Sequence, residues 1–127
     1  MLDGKNASEG ARDNVATNPK LDATEQMLVG VWGNDDDINF SREFKADGTV
    51  VDSYIGDNGP TSTTGTWTVF DATSTEPVTF QLNNFDSYVK MMMDGDALYF
   101  RVSKISTDQL ELIYMERGGA LRFSKVQ

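Results

Sequence analysis

Side chains able to do chemistry are few in this sequence and fall on particular segments. The 127-residue chain has no cysteine and no histidine, which removes thiol nucleophiles, serine–histidine and cysteine–histidine pairs, the usual zinc sites and imidazole ligation of haem. What remains suits recognition: Phe40, Arg42 and Phe44 at alternate positions, Tyr54 in the next segment, then Trp67, Phe80, Tyr88, Met91, Met93, Tyr99, Tyr114 and Phe123. On inward strand faces these would form an apolar wall with a few hydroxyls and one guanidinium, suited to a small hydrophobic or amphipathic molecule. The competing arrangement is that they interdigitate and form only a core.

Within that set, Met91-Met92-Met93 stands out because methionine has little preference for strands, and its flexible thioether adapts to an irregular ligand or fills gaps in a core. Arg42 and Arg101 are candidate anchors for a carboxylate, since a guanidinium offers two parallel donors. The alternative is an outward arginine, or one paired with a neighbouring acid. Asp35-Asp36-Asp37, Asp57-Asn58 and Asp94-x-Asp96 could gather a hard cation if their turns lay at one end of the barrel, but none has the twelve-residue calcium-loop pattern and solvated turns explain all three. Neither a metal nor a cofactor is expected. Catalysis would need paired carboxylates or an activated lysine, and the acids sit mainly in turns, so no enzymatic activity is expected either.

The elements that position these residues follow from length and patterning. The chain is the size of one domain, and 20 acidic against 11 basic residues give a net charge of −9, which disfavours nucleic acid or an anionic membrane as partner. Residues 1–22 hold few large apolar side chains and carry no period, as expected of a disordered N-terminal tether, so the core is expected from 23–127. Such a leader is what remains after removal of a signal peptide, with or without a lipid anchor in the precursor. That points to an extracytoplasmic protein (periplasmic, cell-surface or secreted), with an ordinary disordered terminus as the alternative. No apolar run is long enough to span a bilayer, so no transmembrane segment is expected.

Asp22-Ala23-Thr24-Glu25 resembles a capping box opening a short helix that carries Met27 and Leu28. From Leu28-Val29-Gly30-Val31-Trp32 onward, short segments follow with a period of two. Nine strands are expected, beginning near Gly30, Asn39, Thr49, Thr64, Val78, Ser87, Ala97, Gln109 and Ala120. Turn residues separate most of them, including Ala46-Asp47-Gly48 and Asp94-Gly95-Asp96. Short turns pair consecutive strands antiparallel, so the expected fold is all-β: an antiparallel meander of eight to nine strands closing into an up-and-down barrel, with an open double sheet as the alternative.

Several motifs occur in the order found in small bacterial lipocalin-like domains of the calycin type, which the chain resembles over about residues 24–127. They are Leu28-x-Gly30-x-Trp32, Phe44-x-x-Asp47-Gly48-Thr49, Gly65-Thr66-Trp67 and Leu110-x-Leu112 … Leu121-x-Phe123. The resemblance implies a closed barrel end where Trp32 lies under an arginine of the last strand, here Arg122, combining cation–π attraction with covered apolar surface. It also implies a small ligand held in the barrel. Apolar runs on both strand faces at Leu98-Tyr99-Phe100 and Leu112-Ile113-Tyr114-Met115 support a second reading, a protein-interaction or inhibitor module of the cell envelope with a filled core.

Overall fold

The computed structural model describes residues 19–126. The expected tether therefore lies outside the described residues up to position 18. Helix α1, Pro19–Leu28, starts before the expected boundary. Proline suits a first helical position because its missing N–H would have no partner there. Asp22 lies inside the first turn rather than capping it, favourably placed near the positive end of the helix. No helix among the described residues is long and apolar enough to cross a membrane.

Eight strands follow: β1 Gly30–Asn34, β2 Phe40–Phe44, β3 Thr49–Gly56, β4 Gly59–Phe70, β5 Ser87–Met93, β6 Asp96–Ile105, β7 Gln109–Tyr114 and β8 Ala120–Lys125. Each pairs antiparallel with its neighbour in sequence, and β1 closes on β8 through Trp32 opposite Lys125 and Asn34 opposite Phe123. The meander is thus a closed barrel without free edges. Two expectations change. β4 starts at Gly59, because Gly56 pairs with Gly59 across the two-residue turn Asp57-Asn58 and Gly59 takes the positive φ of +102° that glycine tolerates. The segment at Val78 is no strand. It belongs to an irregular strap, residues 71–86, between β4 and β5; of its two aromatic rings, Phe80 packs on the outside of the barrel and Phe85 is exposed.

The up-down order assigns the connections to two ends. Helix α1, turns 45–48 and 106–108 and the strap lie at one end, the floor; turns 35–39, 57–58, 94–95 and 115–119 lie at the other, the mouth. The floor is closed by Leu28, Trp32, Phe44 and Trp67, all buried. Burying each such side chain is worth about 1.5–3 kcal/mol as an upper bound. Both indoles are satisfied: Trp32 Nε1 donates to the Leu28 carbonyl at 2.8 Å and Trp67 Nε1 to that of Lys45 at 2.9 Å.

The floor also explains Gly30-x-Trp32. Gly30 has φ +137°, and a Cβ there would stand 2.6 Å from Lys125 Cε. The lysine lies across the strand start, its Nζ 4.3 Å from the Trp32 ring centroid and donating to the Val29 carbonyl at 3.0 Å. Lys125, rather than Arg122, therefore covers Trp32. Phe123 points inward on β8, so by alternation Arg122 points outward, where it is 57% exposed and pairs with Glu111 at 2.9 Å.

Candidate functional site

Above the floor the interior holds an ion pair whose guanidinium is buried. Phe44 lies opposite Val50 in the β2–β3 ladder, and two residues on, Arg42 lies opposite Asp52. Both point inward, and the fork closes: Arg42 Nε donates to Asp52 Oδ1 at 2.7 Å and Nη2 to Oδ2 at 2.9 Å. Arg42 is only 4% exposed, and its guanidinium carbon lies 5.3–5.7 Å from the ring centroids of Phe40, Phe100 and Phe123. Its third nitrogen, Nη1, is buried without a hydrogen-bond partner, the one such side-chain atom among the described residues. Desolvated donors almost always find acceptors.

Towards the mouth the lining becomes open and apolar. Leu98, Phe100, Tyr114, Ala120 and Leu121, with Arg117 and Gly119 of the last turn, line a cleft of about 350 Å³. Phe100 touches both regions: it lines this cleft and stands beside the guanidinium. The Asp52 side chain is about one-fifth exposed (21%), so the carboxylate of the pair meets solvent while the guanidinium does not.

A larger cleft of about 450 Å³ lies where the strap meets the outside of β6, between Thr79, Phe80, Ala97, Tyr99, Tyr114, Met115 and Glu116. Its tyrosine hydroxyls are already committed. Tyr99 donates to Glu76 at 3.1 Å and Tyr114 to Glu116 at 2.8 Å. Beside it, Lys90 Nζ donates to Glu76 at 2.9 Å. Burial, then Glu76, pushes the Tyr99 phenol above the ordinary tyrosine value; the Glu76 hydrogen bond likewise raises Lys90, and the Glu116 hydrogen bond raises Tyr114. The paired polar groups make this outer cleft the weaker candidate.

The expected inner set divides by strand parity. Phe40, Arg42, Phe44, Trp67, Met91, Met93, Tyr114 and Phe123 face the interior, and Tyr54 stands at the mouth, 45% exposed. Phe80, Tyr88 and Tyr99 do not face inward. Val89, Met91 and Met93 occupy the inner face of β5, and Leu98 and Phe100 that of β6, which turns Tyr88 and Tyr99 outward. There they form a second aromatic cluster beneath the strap, with Phe70 stacked 5.5 Å from Tyr88 and Phe80 edge-on 5.6 Å from Tyr99. Met92 is the outward member of the methionine run. Arg101 also faces out, 3.9 Å from Asp86. Arg42 is the inward arginine, but Asp52 already takes the carboxylate position expected for a ligand.

Sequence reasoning missed Asp52, Leu98, Phe100 and Leu121. Asp52 had a legible signal, because the Ala46-Asp47-Gly48 turn fixes the register that places it opposite Arg42. The acidic turns 35–37, 57–58 and 94–96 do share the mouth end, yet among the described residues no three metal-ligating side chains gather. Asp35 instead accepts from Ser124 at 2.7 Å, and Asp36 lies 3.8 Å from Arg122.

Comparison with known proteins finds no matching family model, no matching curated protein and no matching solved structure, so the barrel's own geometry is the basis for a functional reading.

Proposed function

We propose that this barrel is an extracytoplasmic, lipocalin-like binding protein that holds one small amphipathic molecule at its mouth. The observation that carries the reading is the apolar cleft of Leu98, Phe100, Tyr114, Ala120 and Leu121 opening beside a buried guanidinium. A concave apolar wall with one convergent polar group is the usual form of a small-molecule site. The cleft lies above the packed floor, so the ligand is short and its far end remains in solvent. The closed meander with a helix at one end and Gly30-x-Trp32 entering the first strand supports the lipocalin-like part of the reading. Binding, without a catalytic step, is the function proposed.

Enhancement of N-phenyl-1-naphthylamine fluorescence tests it. The wild type is expected to enhance the dye, and Leu121→Glu, at a position packed partly against the core, to abolish the enhancement while keeping the far-ultraviolet circular dichroism of the folded barrel. Equal enhancement in both proteins, or none in either, counts against the reading.

One observation favours a second reading, a protein partner seated on the rim. The mouth turn 35–39 and the adjoining end of β3 expose Ile38 (94%) and Ile55 (60%), joined by an Ile55 N–H to Asn39 carbonyl hydrogen bond of 3.0 Å. On that reading, Ile38→Asp abolishes capture of an envelope protein and leaves dye binding intact.

A further inference from the structure

The charge ledger at Arg42 narrows the ligand class. A guanidinium has five N–H donors. Asp52 occupies Nε and one donor of Nη2, in a bidentate contact that also balances the positive charge. Nη1 keeps donors without a partner inside a cage of Phe40, Phe100 and Phe123. A second carboxylate there would leave one net negative charge among aromatic rings, which is costly at low dielectric, in a protein that already carries −9. A neutral acceptor adds a hydrogen bond without adding charge.

Resting on the binding function proposed above, we infer that Arg42 Nη1 receives a neutral carbonyl oxygen, of a ketone, ester or amide, from a ligand whose apolar chain lies in the Phe100–Leu121 cleft. Asp52 is then a positioning residue: it fixes the guanidinium fork and cancels its charge, so that an acceptor is selected and an anion refused. Phe100 lines the cleft and its ring centroid lies 5.3 Å from the guanidinium carbon, whereas Arg42 itself does not line the cleft, so reaching Nη1 requires movement of the cleft wall at Phe100. The ligand class is an uncharged amphiphile with its carbonyl near one end.

Three matched probes test this by displacement of N-phenyl-1-naphthylamine: 2-nonanone, the isostere 2-methyl-1-nonene with a methylene in place of the carbonyl oxygen, and nonanoate. Arg42→Met alone would orphan a carboxylate, so the variant is Arg42→Met/Asp52→Leu, which removes both charges. The ketone is expected to bind more tightly than nonanoate and to weaken about tenfold in the double variant, the size of one hydrogen bond to a charged donor, while the alkene is unaffected. The infrared carbonyl band of bound 2-nonanone is expected at lower wavenumber in the wild type only. If ketone and alkene respond alike to the double variant, or nonanoate binds most tightly, the carbonyl assignment is overturned and the binding function stands. If the dye binds and none of the three displaces it, the carbonyl assignment is likewise overturned; if the wild type does not bind the dye at all, the binding function fails and the assignment with it.

Discussion

The two ends of this barrel use similar side chains to different effect. At the floor, Trp32, Phe44 and Trp67 are buried and each indole N–H has a carbonyl acceptor. Towards the mouth, Phe40, Tyr54 and Tyr114 are partly exposed, and Arg42 retains a buried donor without an acceptor. Aromatic content therefore does not distinguish the two ends; completeness of polar pairing does. A closed floor needs nothing more, whereas the upper barrel lacks one acceptor and offers an apolar cleft next to the group that wants it.

If the floor is core, damage there should be the most severe. Trp32→Ala removes a fully buried indole along with its bond to Leu28 and the surface beneath Lys125. It is expected to cost about 3–5 kcal/mol in urea unfolding. A loss below about 1 kcal/mol would show that the helix-capped end is not the packed core described.

The ion pair between the two ends comes next. Asp52→Ala leaves the Arg42 guanidinium buried without its carboxylate, and about 3 kcal/mol is expected to be lost, the lower part of the range for breaking a buried pair because Asp52 is partly exposed. Arg42→Met/Asp52→Leu should recover most of that loss. Equal destabilisation by the single and double changes would mean that steric fit, not charge, dominates at this level.

The smallest effect concerns the outside. Burial and Glu76 raise the Tyr99 phenol, so the folded protein keeps a proton that the unfolded chain releases near the ordinary tyrosine value. This contribution is full below that value and is lost as pH rises through it towards the raised one. Urea midpoints measured from neutral to alkaline pH are expected to fall less steeply in Tyr99→Phe than in the wild type. Identical slopes would place the strap's contact with Tyr99 outside the folding equilibrium.

Much of the fold was legible because turns and alternation are local. Gly48, Gly59 and Gly95 take positive φ where the chain reverses, and clean alternation at Phe40, Arg42 and Phe44 gave the inward face of β2 directly. Parity became unreadable where both faces are covered. The strap buries Phe70 and Tyr88 from outside while Val89 and Met91 are buried from inside, so where β4 and β5 meet the strap both faces are covered and neither shows direction. The strap imitates a strand because Val78, Phe80 and Leu82 alternate, and all three are half-buried between exposed Thr79, Gln81 and Asn83, yet the segment pairs with no strand of the barrel. Closure misled in a similar way. Arg122 looked suitable to cover Trp32, but the β1–β8 register, a contact between chain ends, sets Lys125 there instead. The candidate site was half legible: Arg42 was found from its flanking phenylalanines, whereas Leu98, Phe100 and Leu121 needed the three-dimensional arrangement of β6 and β8.

The most direct measurement is a methyl NMR titration of the labelled protein with 2-nonanone. A site at the mouth above a filled floor should shift the methyl signals of Leu98, Ala120 and Leu121 and leave those of Leu28 and Leu110 in place. Shifts at Leu28 and Leu110, or no shifts at the mouth, would contradict the division between a packed floor and a binding mouth.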